Sequence, residues 1–486
     1  MPDGPGISLH KKAEEALVIN SNIFREYDIR GIAETELTDE NVALIGKAFA
    51  TWMLAQGRKR LVVGRDLRLS SNRLRDAMVN AMLGCGVDII DIGVVPTPTQ
   101  YFGIIHFEAE GGVMITGSHN PREYNGFKMS KGLRADDGHL SVGAVYGQDI
   151  QELYQIIRSN QFATGKGKIE IVTITPEYIS AIKQRVKIHK RLKIVVDPGN
   201  GCGALFAPDL WEEMGCEVVR LYAEPDGNFP NHLPDPTVMK YIKDLREKVL
   251  AEKADLGIGY DGDADRMGII DNLGRPIFAD KLLALFARDT LTRYPGATIV
   301  FDVKCSQALP EMIEKAGGKP LMWKTGHSLL KAKMKEEHSP LAGEMSGHIF
   351  FSDGYFGFDD AIFGSGRLMQ ILTQSGKTMA QLHDEVPAFV STPEIRIDAT
   401  DEDKFNVVAD LVAYFKKSYQ VIDIDGARVL FGDGWGLVRA SNTQPVLVIR
   451  FEAKTQERLH QIAEIFKKKL REYPSVKFTD EDFEVA

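Results

Sequence analysis

Along the first third of the chain, apolar residues switch between two spacings. Val42, Ile45, Phe49 and Trp52 recur at intervals of three and four, which puts them on one face of a helix capped by Asp39 and ending before Gly57. RLVVGRD (60–66) then reads as a buried strand, Leu74, Met78 and Met82 mark a second helix, and VDIIDIG (87–93) a second strand. PTPT (96–99) is expected to stop regular structure. Val113, Met114 and Ile115 form one more short strand, which breaks at Gly117 into a polar loop. Such alternation predicts an α/β fold, with parallel strands covered by helices.

The pattern then recurs. LKIVVDPGN (192–200) and ATIVFDVKCS (297–306) repeat the plan of RLVVGRD, an apolar and largely β-branched run ending on an acidic residue and a loop, followed by a helical pattern. Duplication of one domain explains this better than chance, so three similar α/β domains are expected. Breaks at ATGKGK (163–168), DNLGRP (271–276) and DEVPAFVSTP (384–393) suggest domains over 1–168, 169–274, 275–387 and 388–486. The last differs: PEIRID, QVIDIDG, GWGLVRAS and PVLVIRFEA read as strands, with helices over 404–416 and from about 456 to 471, an α+β arrangement.

Size agrees with this division, since 486 residues at roughly 150 per domain make three or four. No run of about 18 apolar residues is present, and the first twenty residues lack the apolar core of a signal peptide, so a cytoplasmic protein is expected. Cys85, Cys202, Cys216 and Cys305 fall in no CxxC pair and read as reduced, buried thiols. A net charge of -9 argues against nucleic acid as a partner. It leaves room for a small anion, because Arg25, Arg30, Lys128, Arg266, Lys304 and Arg439 all sit in or beside the loops described next.

TGSHNP (116–121) delivers one serine, Ser118, to a strand end; serine needs a base, or a phosphate and a metal, to act chemically. DGDADR (261–266) follows the apolar DLGIGY, so Asp261, Asp263 and Asp265 alternate where a strand ends and can converge. A calcium loop of the EF-hand kind is excluded, because its glycine and glutamate positions hold Arg266 and Asn272. An all-oxygen site with few protein ligands suits Mg²⁺, and a solvated acidic turn is the alternative. GEMSGH (343–348) offers Glu344 and Ser346 for hydroxyl groups, or is a surface turn. RASNTQP (439–445) combines Arg439 with Ser441, Asn442 and Thr443, an inventory suited to a phosphate oxyanion or to a polar hairpin. DPGNGCGA (197–204) meets the spacing of a dinucleotide-binding loop, with Glu224 about twenty residues on; this reading makes an oxidoreductase and explains none of the other motifs.

Taken together and in this order, from FREYDIRG (24–31) almost to the C-terminus, these four loops resemble the α-D-phosphohexomutases, nearest to the bacterial phosphomannomutase/phosphoglucomutase branch. The resemblance implies a four-domain fold around a central cleft, three α/β domains with mixed sheets and a C-terminal α+β domain. It implies interconversion of hexose 1-phosphate and 6-phosphate, of mannose or glucose, through a phosphorylated Ser118. Mg²⁺ is held by Asp261, Asp263, Asp265 and that phosphate, and glucose or mannose 1,6-bisphosphate is the activator and intermediate. Arg30, Lys128 and His348 are the proton-handling candidates, while His119 and Asn120 shape the loop. Arg266 supplies charge beside the metal. Glu344 and Ser346 contact sugar hydroxyls; Arg439, Ser441, Asn442 and Thr443 hold the phosphate that is not reacting, with Lys304, His327 and Tyr27 completing the contacts. Met345 favours mannose or glucose over glucosamine. The expected partner is a small phosphosugar, with neither nucleic acid nor membrane, and the expected assembly a monomer or weak dimer. The remaining alternatives are a phosphoglucosamine mutase, a Mg²⁺ phosphatase in which water takes the phosphate from Ser118, and a sugar-phosphate-binding protein without catalysis.

Overall fold

Three sheets of the computed structural model, which describes residues 19–134, 138–442 and 444–483, share one plan. In the first, Arg60–Arg65 lies parallel to Asp88–Val94 on one side and Gly111–Ile115 on the other, and Gly111–Ile115 pairs antiparallel with Tyr124–Arg134. Lys193–Asp197 takes the same central place between Glu217–Arg220 and Leu256–Tyr260, which turns back antiparallel into Met267–Asp271. Thr298–Asp302 does so between Lys319–Trp323 and Leu341–Gly343, which turns back into Ile349–Phe351. The sheets are therefore mixed, and the internal recurrence is structural.

This plan places the chemistry. The turn from the last parallel strand into its antiparallel partner carries Ser118 in the first domain, the three aspartates in the second and Glu344 to His348 in the third. Strand sides are buried throughout these turns' approaches, as the all-buried patterns of Gly111–Ile115, Leu256–Tyr260 and Leu341–Gly343 show. The strands are held on both faces, and only the loops at their ends are free to serve a site.

The fourth sheet is antiparallel in its main run, with Gly434–Ala440 and Val446–Ala453 paired over seven register positions. Lys404–Phe415 and Gln456–Leu470 pack on it through Leu411, Phe415, Ile462 and Phe466. RASNTQP is the hairpin between its two longest strands.

The first three domains share one continuous apolar cluster, running from Val62 through Tyr260 to Phe363, while the fourth keeps its own. A small cluster, Val303 with Trp435 and Leu437, joins the third to the fourth. All four cysteines are free and buried. No helix among the described residues is long and apolar enough to cross a membrane.

Three local expectations are corrected. PTPT starts a helix, Thr97–His106, with Pro96 as its cap, because proline in the first turn forgoes a hydrogen bond that a helix start does not make. The first long helix is capped by Thr38, whose hydroxyl accepts from the Asn41 amide at 3.3 Å, and Asp39 is its first residue. The first sheet also extends past 168, since Ile169–Ile171 pairs with its edge strand Asp88–Val94.

Candidate active site

Ser118 sits on its loop with φ +49°, a left-handed conformation that costs a residue with a side chain of order 1–3 kcal/mol. Its Oγ lies 3.0 Å from Asp261 Oδ2 and 3.1 Å from His119 Nδ1. The residue is buried, so neither contact is diluted by solvent. The second domain's loop approaches closely: a side chain on Gly262 would bring its Cβ to 2.4 Å from the Ser118 carbonyl oxygen, so only glycine fits there. Asn120 is tied down from the other side by Arg30, whose guanidinium donates to it at 3.1 Å and to Asp28 at 2.5 Å.

Asp261, Asp263 and Asp265 do converge, with ligand oxygens within 4.8 Å of one another and all three carboxylates buried. Their oxygens divide into two sets. The Lys128 ammonium donates to Asp263 Oδ2 at 2.7 Å and Asp265 Oδ2 at 2.5 Å, and the Thr97 hydroxyl also donates to Asp263 Oδ2 at 2.5 Å. Asp261 Oδ1 accepts the amides of Asp265 and Arg266, both at 3.1 Å. By contrast, Asp263 Oδ1 is buried with no hydrogen-bond partner, and Asp265 Oδ1 has only the His348 imidazole, 3.4 Å away. Three buried carboxylates within 4.8 Å of one another, one oxygen of Asp263 lacking any partner and Ser118 Oγ 3.0 Å from Asp261 Oδ2, are what a hard, oxygen-seeking cation requires, so the donor set fits Mg²⁺.

Charge bears this out. Burial first, and then Asp263 and Asp265, push the Asp261 carboxyl well above the usual range. Burial acts the same way on Asp265, but Lys128 and His348 outweigh it and hold that carboxyl well below. Burial would lower the Lys128 ammonium, yet the aspartates hold it above its ordinary value, so in this arrangement it stays a cation.

His348 joins this centre to the third domain. Its Nδ1 lies 2.9 Å from Glu344 Oε2, its Nε2 3.4 Å from Asp265 Oδ1, and Arg266 Nε 3.3 Å from that Nε2. Burial and Arg266 push the imidazole down, but Asp265 and Glu344 prevail and hold it at about 9. Burial drives His119 and His327 well below the ordinary value, so both are neutral at physiological pH. Glu344 is no surface turn: it is buried, accepts the Gly326 amide at 2.6 Å and the Ser346 hydroxyl at 2.8 Å, and is held below the carboxylate range by His348 against its own burial.

The remaining predicted residues form a second cluster along one wall. Tyr27 donates to the Thr325 carbonyl at 2.8 Å, accepts from Asn442 Nδ2 at 2.7 Å and meets His327 edge to face, with ring centroids 6.2 Å apart. Burial pushes its phenol up to about 12. Arg439 donates to Asp425 at 2.9 Å and Lys304 to Glu394 at 3.0 Å. Ser441 Oγ accepts the Gln444 amide at 3.2 Å, and Thr443 lies outside the described residues. The sequence reading missed Thr97, Arg68, Asp425 and Glu394. For the first two a signal existed, a hydroxyl in PTPT and the D-x-R that follows the first buried strand; for the two carboxylates none did, since each meets its cation only through the tertiary fold.

The glycines of DPGNGCGA serve the aspartate loop. Cys202 N donates to the Gly262 carbonyl at 2.8 Å, and a Cβ on Gly201 would stand 2.8 Å from the same oxygen. The close approach is to protein backbone, which removes the reason to read a pyrophosphate into the motif.

Comparison with known proteins agrees with this geometry. The models of phosphoglucomutase/phosphomannomutase α/β/α domains I, II and III match residues 21–141, 176–274 and 278–389, and that of the C-terminal domain matches 394–469. A phosphomannomutase/phosphoglucomutase of Pseudomonas aeruginosa is 45% identical over 459 residues, 94% of this chain and 97% of the relative. A phosphoglucomutase of Neisseria meningitidis serogroup A is 41% identical over 463 residues, 94% of this chain and 98% of the relative. The crystal structure of a phosphoglucomutase/phosphomannomutase family protein from Burkholderia thailandensis superposes with a TM-score of 0.87 at 41% identity, covering 94% of this chain and 98% of that one. With all four domains matched in order, the chain belongs to the phosphoglucomutase/phosphomannomutase family of hexose-phosphate mutases.

Proposed function

We propose that Ser118 is the residue that stores the phosphoryl group and exchanges it with either end of a mannose or glucose phosphate, through a hexose 1,6-bisphosphate. The observation that carries this reading is the hydrogen bond of 3.0 Å between Ser118 Oγ and Asp261, one of three buried carboxylates whose ligand oxygens lie within 4.8 Å of one another. Mg²⁺ bound by those carboxylates supplies charge neutralisation for the phosphoryl oxygens, the main need in a reaction governed by positioning and electrostatics.

The free hydroxyl of the sugar attacks phosphorus, the bond from phosphorus to Ser118 Oγ breaks, and the hydroxyl proton passes to a base. Of the three candidates, Lys128 is held charged by two aspartates and Arg30 is paired with Asp28. His348 is also held largely protonated, at about 9, so only its deprotonated fraction takes the hydroxyl proton, and the protonated form returns it in the reverse step. The released serine oxygen takes up a proton and, as a hydroxyl again, stays within hydrogen-bond reach of Asp261 and His119. After the bisphosphate turns end for end, the same steps run backwards and the other phosphate returns to Ser118.

Glu344 and Ser346 are placed to receive sugar hydroxyls, and Tyr27, Lys304, His327, Arg439, Ser441 and Asn442 to hold the phosphate that is not reacting. Incubation with mannose 1-phosphate, Mg²⁺ and a trace of glucose 1,6-bisphosphate tests the scheme. The wild-type chain is expected to give the 6-phosphate and Ser118→Ala none; free phosphate in place of 6-phosphate would make it a phosphatase. Turnover on glucose, mannose and glucosamine 1-phosphates ranks the sugars, and a preference for glucosamine would overturn the reading of Met345.

A further inference from the structure

We infer that Arg68 is a positioning residue for the phosphoryl-carrying loop, holding Ser118 in the strained conformation from which it reacts. This rests on Ser118 being the carrier, and it adds a residue that acts on the Ser118 loop through backbone carbonyls alone.

Arg68 lies three residues past the end of the first domain's central strand and is 2% exposed. Every N–H of its guanidinium is used. Nε donates to Asp66 Oδ2 at 3.2 Å. One terminal nitrogen donates to the carbonyls of Pro121 at 2.7 Å and Tyr124 at 3.1 Å, the other to those of Ser118 at 2.7 Å and Asn120 at 2.6 Å. Four carbonyls from one seven-residue turn thus converge on a single planar fork. Lysine, with three donors on a point charge, cannot reproduce that geometry.

The surroundings are built to keep the fork in place. Asp66 is oriented by the Ser71 hydroxyl at 2.5 Å and in turn accepts the Gly117 amide at 3.1 Å, so the residue before Ser118 is tied to the same network. A Cβ on Gly117 would stand 2.5 Å from the guanidinium carbon, so glycine is needed for the fork to pass beneath the loop. Phe229, from the second domain, covers the guanidinium with its ring centroid 5.1 Å away. The Ser118 carbonyl is therefore gripped by Arg68 and faced by Gly262, which holds φ at +49° against its intrinsic preference.

The test uses the full chain with Arg68→Lys and Arg68→Ala. A shift of about 1 Å in a reacting group can cost on the order of 10²-fold. Arg68→Lys is expected to lower kcat by about 10- to 100-fold with KM for mannose 1-phosphate within about threefold of wild type. Guanidinium ion added at low millimolar concentration is expected to restore part of the kcat of Arg68→Ala and none of Ser118→Ala. A residue needed only for folding would lower the active fraction and show no such rescue. Should these variants not fold, Gly117→Ala displaces the fork from the opposite side, and the same loss in kcat alone is expected. Wild-type kcat in Arg68→Lys or Gly117→Ala, or equal changes in kcat and KM, overturns the proposal. If trapped wild-type enzyme carries phosphate elsewhere than Ser118, it is the carrier reading that fails; phosphate on Ser118 with an unaffected Arg68→Lys removes the positioning role alone.

Discussion

The two halves of the site are held by different kinds of contact. On the side of the first two domains, Ser118 and the aspartates are fixed by backbone donors, by Lys128 and Thr97, and by a glycine contact that admits no side chain. On the side of the fourth, the cations proposed to hold phosphate are paired with carboxylates, Arg439 with Asp425 and Lys304 with Glu394. A phosphate dianion can replace a carboxylate on arginine or lysine with little rearrangement, whereas nothing in a substrate can replace the clamp around Ser118. The serine half is thus preorganised, whereas the cations of the other half keep partners that an anion could displace. The cores follow the same division: domains one to three share an apolar cluster, and the fourth is joined through Val303, Trp435, Leu437 and two buried arginines. Arg428 donates to the Val303 and Cys305 carbonyls at 2.5 and 2.8 Å, and Arg450 to that of Lys304.

The largest effect expected is on the reacting half. Ser118→Ala should lower mutase turnover by about 10³-fold or more while leaving the fold intact, since loss of a covalent carrier is not compensated by binding; near-full activity by coupled assay would remove it from the mechanism. Next is Lys128→Met, which strips the buried Asp263 and Asp265 of their internal cation. A loss of about 3–5 kcal/mol in urea unfolding without metal is expected, with partial recovery on adding Mg²⁺; an unchanged midpoint would mean the carboxylates do not need it.

The recognising half should respond in KM. Arg439→Ala should raise it by the equivalent of about 1.5–3 kcal/mol, the worth of a charged hydrogen bond, with a smaller change in kcat. Asp425→Asn frees the same arginine and should lower KM, by no more than about fivefold at roughly 1 kcal/mol; a rise would show Asp425 to be an orienting group. The smallest effect concerns acid stability. Burial raises the Glu394 carboxyl, but Lys304 and Arg396 outweigh it and hold it at about 2, below the ordinary value of 4.5. Its contribution is therefore complete above pH 4.5 and lost as pH falls through about 2. Thermal melts should show a shallower loss over that window in Glu394→Gln, and identical slopes would contradict the pairing.

Much of this was legible from sequence, for physical reasons. Strands buried on both faces announce themselves as apolar runs, so the three central strands could be placed, as could the apolar runs leading into Ser118 and the aspartates, while Glu344 was found by its motif alone. PTPT misled because proline both breaks helices and begins them, and the distinction lies in which residues follow. For Arg68 the D-x-R after the first buried strand was the one signal; its role, satisfying carbonyls of a loop fifty residues away, left none, because such acceptors carry no side-chain signature. Asp425 meets Arg439 only when the fourth domain's own strands pair, and Glu394 meets Lys304 only when that domain folds against the third.

The most direct test is peptide mass mapping of the full chain quenched during turnover of mannose 1-phosphate with Mg²⁺. A phosphoryl group on the peptide containing Ser118, absent from Ser118→Ala, is the expected result. Turnover at full rate with no phosphate at that position in any trapped sample would contradict the central claim.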